Sequence, residues 1–300
     1  MKRVLELGLA RGGPALVARK LAAGRTVVLA YHNVLPDGAP AVGERSLHLP
    51  RRRFAAQLDV LRRTHDIVPL ATVAERSPSG ARPRAAITFD DAYRGAVTAG
   101  VAEVVTRGLP ATVFVAPAFV GGRTFWWDAL ADPDSGVMAE ALHDEALERL
   151  AGDDAAVRAW APGAGLRETP VPDHARVADE RELLAAASLP GVTLASHSWS
   201  HPNLALLDSD ALREQLTRPL EWLRQRFPAA VIPWLAYPYG ISSPEVETAA
   251  ARAGYRAALR VNGDWLAAGS APVYAMPRLN VPAGMTIDGF VLRTSGVIRR

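Results

Sequence analysis

Apolar runs of strand length alternate with helical patterns along most of this chain, and that alternation restricts the fold more than any other feature. "TVVLAYH" (26–32), "RAAITFD" (84–90), "ATVFVAP" (111–117), "GVTLASH" (191–197) and "AVIPWLAYP" (230–238) read as strands, with shorter ones in "DIVPL" (66–70), "YRAALR" (255–260) and "PVYAMPRLNVP" (272–282). Between them, "PRRRFAAQLDVLRRTHD" carries Phe54, Leu58 and Leu61 at helical spacing. "YRGAVTAGVAEVVTRG" reads as a helix stopped by Gly108 and Pro110, and 209–227 and 243–254 read as two more. Strands alternating with helices imply a parallel sheet covered by helices, either open or closed into a barrel. The rhythm breaks at about 121–187, an acidic and mostly helical insertion with a Pro/Gly-rich centre.

Composition removes several function classes. Three hundred residues, 49% of them hydrophobic, can bury a substantial core. There is no cysteine, so any metal must take His and carboxylate ligands. The net charge is +3 and the arginines are scattered apart from Arg51, Arg52 and Arg53, which does not make a nucleic-acid footprint. No segment approaches the roughly 20 apolar residues of a membrane span. Residues 1–25 start with positive charge, but Glu6, Arg11 and Arg19 interrupt the apolar stretches. They are expected to form a basic amphipathic helix rather than a signal peptide, packed on the domain or touching an anionic membrane surface. A cytoplasmic or membrane-peripheral location is the corresponding expectation, with one domain over 26–300.

In sheets of this kind the chemistry gathers at the C-terminal ends of the strands. His32, Asp90 with Asp91, His197, and "YPYG" (237–240) each follow a strand. Two adjacent carboxylates ending an apolar run cost stability unless positive charge or a proton lies between them. His197 and His201 are four residues apart, so one helical turn would put both imidazoles on one side. Two imidazoles and one carboxylate make three ligands and leave room for water and substrate, as a catalytic cation site requires. The second carboxylate is then free to accept a proton from water.

"TFDDAY" followed by "SHSWSHPNL" resembles the first two motifs of the polysaccharide deacetylase family, also called the NodB-homology domain or carbohydrate esterase family 4. The resemblance spans about 27–281. It implies a distorted (β/α) barrel of about seven strands, with Asp90 as general base and Asp91, His197 and His201 as metal ligands. The third family motif places an arginine where this chain has Ala236, although Pro238, Tyr239 and Gly240 match. The resemblance gives the Tyr239 backbone N–H an oxyanion-binding role. Arg278, after a late strand, is the candidate replacement for the missing arginine.

No histidine follows His201, so the family's late general acid is also absent. "LAYHNV" resembles the N-terminal strand of the circularly permuted poly-N-acetylglucosamine deacetylase branch, which makes His32 the candidate acid. His32 protonated together with Asp90 ionised implies a bell-shaped rate profile. His48, His65, His143 and His174 are expected to be solvated. Trp126, Trp127 and Trp199 either pack the insertion onto the barrel, which is the more usual role of such residues, or stack on glycan rings. "NGDW" loosely matches the family's fourth motif, whose tryptophan, here Trp265, would wall the acetyl pocket.

The expected function is removal of an N-acetyl group from an N-acetylated glycan or glycolipid by a divalent metal, Zn²⁺ first and Ni²⁺ or Co²⁺ as alternatives. Three rivals remain at this level. They are an amide or imide hydrolase on the same barrel, an O-deacetylase, and a glycan-binding protein without activity.

Overall fold

A computed structural model describes residues 17–18, 20–75, 82–267 and 273–298. Most of the expected N-terminal helix lies outside those residues. The described strands are β1 (Thr26–Tyr31), β2 (Asn33–Leu35), β3 (His48–Pro50), β4 (Asp66–Ile67), β5 (Arg84–Phe89), β6 (Ala111–Val115), β7 (Val192–Ser196), β8 (Val231–Ala236), β9 (Ala257–Leu259) and β10 (Leu279–Asn280). Seven run in the order β10-β1-β5-β6-β7-β8-β9, every pairing parallel, and β4 adds to the N-terminal part of β5. Met276 bridges Leu259 of β9 while Leu279 and Asn280 pair with β1, so one short segment joins the two ends of the curved sheet. β2 and β3 form a separate two-stranded piece.

The period of two along each strand sorts side chains between barrel interior and helix layer. Val28, Ala86, Phe114, Ala195 and Ala236 share the interior cluster, and Leu70, Val73 and Leu266 belong to it as well. Val27, Leu29, Ile87, Val113, Val115 and Leu194 belong to the larger cluster packed against helices. Helix Arg51–Thr64 contributes Phe54, Leu58 and Leu61 to that cluster, as its spacing predicts. Helix Ser209–Arg226 starts at Asp208, whose carboxylate caps the amides of Asp210 and Ala211, and it buries Leu212, Leu216, Leu220 and Leu223. The segment expected as one helix over 93–108 differs in detail: a π turn over Ala96–Gly100 precedes a short α-helix, Val101–Val105.

The insertion is built from helices Trp126–Ala129, Glu140–Glu148, Asp154–Trp160 and Glu180–Ala187, with 3-10 turns between them. Asp179 and Glu182 close the last of these with a reciprocal capping box. No helix among the described residues is long and apolar enough to cross a membrane.

Candidate active site

Strand parity delivers most of the site. Ala86, Thr88 and Asp90 follow one face of β5, and Thr193, Ala195 and His197 follow the matching face of β7, so both strands end with a functional group at the barrel mouth. Asp91 should then point away. Instead Asp91 and Ala92 take φ of 68° and 51°, and this left-handed turn brings the second carboxylate back to the histidines. Ser198, His201 and Tyr239 also have positive φ, which makes five of the six such non-glycine residues described. Left-handed backbone costs of the order of 1–3 kcal/mol per residue, and it persists where surrounding structure enforces it.

His197 and His201 do not share a helical turn. They sit in a loop in which the His201 amide donates to Ser198 Oγ, and that loop supplies the four-residue spacing. Asp91 Oδ1 lies 3.5 Å from Nε2 of each histidine, and the two nitrogens are 3.2 Å apart. Ligands about 2.0–2.1 Å from one tetrahedral ion would stand roughly 3.3–3.4 Å from each other. His197 Nδ1 donates to the Ala236 carbonyl at 2.8 Å, which turns the Nε2 lone pair toward the cluster. Asp91 Oδ1 is buried without a hydrogen-bond donor. Burial, with Asp90 and Asp128 nearby, pushes the Asp91 carboxyl well above the usual range, and burial pushes both imidazoles down. Neutral imidazoles facing an unpartnered carboxylate oxygen fit a cation held among the three.

Asp90 has a different environment. Arg278, fully buried, donates to both of its oxygens, at 2.6 and 2.8 Å. Burial would raise this carboxyl, but the guanidinium overrides it and holds the group well below the usual range. Arg278 also packs on Phe114 inside the barrel, 5.4 Å from the ring centroid. The guanidinium that the resemblance expects at position 236 thus reaches Asp90 from a segment 188 residues away in sequence.

Asp90, Asp91, His197 and His201 open into a cavity of about 470 Å³ shared with His32, Glu44, Trp127, Glu140, Tyr239 and Asn280. Burial pushes His32 down to about 4, with Asp90 partly opposing the shift. The Tyr239 hydroxyl donates to the Gly152 carbonyl at 3.2 Å. Gly152 has φ of 62°, and a Cβ there would stand 2.8 Å from the phenol Cζ, so the contact requires glycine.

The tryptophans separate. Trp127 lines the cavity, with its ring centroid 4.9 Å from that of His201. Trp126 is buried beneath it, donating to the Gly152 carbonyl at 3.2 Å. Trp199 lies outside the cavity lining, with the Arg218 guanidinium 3.7 Å over its ring. Trp265 is corrected most clearly. It packs near His65, and its neighbour Leu266 bridges Thr26 at the N-terminal end of β1, away from the barrel mouth. The expectation of solvated histidines also fails: His48 and His65 are 1% and 2% exposed, and His143 and His174 are half-buried. Asp128, which sequence reasoning missed, is fully buried and accepts from His48, Tyr93 and the Glu44 amide.

A family model for polysaccharide deacetylases matches residues 78–258, more than half of the chain. The chain belongs to the polysaccharide deacetylase family. The matched segment contains Asp90, Asp91, His197, His201 and Tyr239, whereas His32 and Arg278 fall outside it. Three solved structures illustrate the fold. The Streptococcus pyogenes deacetylase PplD in complex with acetate is 13% identical, with a TM-score of 0.61 over 90% of this chain and 98% of that one. IcaB from Ammonifex degensii is 18% identical, with a TM-score of 0.62 over 92% and 98%. A de-N-acetylase from Aggregatibacter actinomycetemcomitans is 13% identical, with a TM-score of 0.60 over 90% and 99%. No curated protein matches the chain. Membership of this family supports a hydrolase that deacetylates carbohydrate.

Proposed function

We propose that this polysaccharide deacetylase is a metal-dependent hydrolase that removes the N-acetyl group from an N-acetylated sugar or polysaccharide. The observation that carries the reading is the unequal pair Asp90 and Asp91: one is locked to Arg278, and the other faces two neutral imidazoles without a donor. Asp91, His197 and His201 would hold a divalent cation, with zinc first and nickel or cobalt compatible. When bound, the cation supplies Lewis acidity toward the acetamide carbonyl and makes water easier to deprotonate.

The chain's own groups do the rest. Asp90, kept ionised by Arg278, accepts a proton from the attacking water. The Tyr239 backbone N–H is the candidate donor to the developing oxyanion. His32 delivers a proton to the departing nitrogen from the same cavity. Trp127 and the Tyr239 ring supply the aromatic part of the wall.

The experiment is acetate release from N-acetylglucosamine oligomers, with and without chelation, alongside an O-acetylated glycan and a cyclic imide. Ester cleavage is the second reading, and the low His32 value favours it, because an alcohol leaves with less help from an acid than an amine does. Chelator-sensitive release from the N-acetyl substrate supports the proposal. Turnover of the ester or the imide alone would replace it.

A further inference from the structure

Asp128 lies outside the metal-type cluster, yet two stretches of the cavity wall hang from it. Its Oδ2 accepts the Tyr93 hydroxyl at 2.6 Å, and Tyr93 in turn accepts the indole N–H of Trp127 at 2.9 Å. Trp127 stacks on Phe125, with centroids 4.3 Å apart, and presents its ring to His201 and the cavity. The other oxygen, Oδ1, accepts the Glu44 backbone amide at 2.9 Å and His48 Nε2 at 3.0 Å. Glu44, Ser46 and Leu47 form a second stretch of the wall. Asn33 Nδ2 donates to His48 Nδ1 at 2.9 Å, which leaves the Nε2 hydrogen for Asp128.

Two further observations point to a built device rather than incidental polarity. Asn33, His48, Tyr93 and Asp128 are each at most 1% exposed, where an unmatched polar group would cost about 1–3 kcal/mol. Gly43, with φ of 68°, lets the Glu44 segment close on Asp128: a Cβ there would stand 2.8 Å from the Asp128 Cα. Arg45 fastens the same segment to the insertion by donating to the carbonyls of Pro133, Asp134 and Ser135.

We propose that Asp128 is a positioning residue that sets the width of the acyl side of the cleft, holding the Trp127 wall through Tyr93 and the Glu44 wall through its backbone amide. This rests on the deacetylase reading above. On this proposal the fixed indole beside His201 is what admits an acetyl group and disfavours longer acyl chains. Tyr93 relays this restraint and touches no reacting atom.

The test compares N-acetyl- and N-propionyl-glucosamine oligomers as substrates of the wild type, Tyr93→Phe and Asp128→Asn, with bound metal measured in each. One methylene in a fitted pocket is worth about 10-fold or more in kcat/KM, so the wild type should favour acetyl by at least that factor. Tyr93→Phe removes one oxygen and should keep its metal. It should lower the acetyl-to-propionyl ratio by about threefold or more, with KM moving more than kcat. Asp128→Asn should do the same more strongly, and Tyr93→Phe carries the test if that variant does not accumulate. A metal-replete Tyr93→Phe with the wild-type ratio overturns the proposal. Wild type that releases no acetate from any acetylated sugar overturns the deacetylase reading instead. Independent of activity, hydrogen exchange at the Trp127 indole should speed up at least about tenfold in Tyr93→Phe, and unchanged exchange would sever the link.

Discussion

Replacing Arg278 with methionine would keep an unbranched apolar stem inside the barrel and remove the one cation that, among the described residues, is bonded to Asp90. Asp90 is 3% exposed and Arg278 fully buried, so the lost contacts lie away from bulk water. Removing one partner from such a pair costs about 3–5 kcal/mol, because the surviving charge stays buried and unpaired. The pH dependence has a definite sign. In the wild type the folded Asp90 value lies below its unfolded value of about 3.9, so the pair contributes fully above that pH and is lost as pH falls through the folded value. In Arg278→Met, burial without the guanidinium raises the folded value above 3.9. The penalty therefore grows as pH rises past the unfolded value and shrinks toward pH 4. Urea unfolding followed by circular dichroism at pH 7 and at pH 4.5 reads both quantities. The double variant Arg278→Met/Asp90→Asn, with neither charge, should recover about 2 kcal/mol or more at pH 7. A single-variant cost below about 1 kcal/mol that does not change with pH would refute the pairing as described.

Two other outcomes follow from the site. If His32 must carry a proton, kcat/KM is lost as pH rises through its value, and burial has pushed that value down to about 4. The bell-shaped profile should therefore peak on the acid side of neutrality, and His32→Asn should lose its descending limb; a rate still rising through pH 7 would remove His32 from the acid role. Gly152→Ala forces a side chain onto the Tyr239 phenol and into left-handed backbone. It should lower stability by about 1 kcal/mol or more in urea unfolding and reduce kcat, while the metal content stays unchanged.

Several of the residues that sequence reading nominated share one property: they stand at the end of a strand whose apolar run is visible in the chain. Asp90 and His197 follow from strand parity, and Arg278 could be nominated because "MPRLNV" carries a lone cation after a late strand. The position of Asp91 could not be derived that way, since its direction depends on two left-handed residues that no periodicity encodes. The H-x-x-x-H spacing suggested a helical turn, yet a loop with positive φ at Ser198 and His201 achieves the same convergence. Trp265 was misplaced because a loose motif says nothing about which end of the barrel it occupies. The Asp128 group stayed hidden for a further reason. Tyr93 and His48 lie 35 and 80 residues from Asp128 in sequence, and neither alone points to it.

The division of labour between Asp90 and Asp91 is the central claim, and bound divalent metal per chain, measured by mass spectrometry on purified Asp91→Asn and Asp90→Asn, tests it most directly. Asp91→Asn removes one of three ligand atoms standing 3.2–3.5 Å apart and should lose most of the metal. Asp90→Asn leaves all three ligands in place and should retain the metal at the wild-type level while deacetylation collapses. Full metal in Asp91→Asn, or equal loss in both variants, would contradict the account.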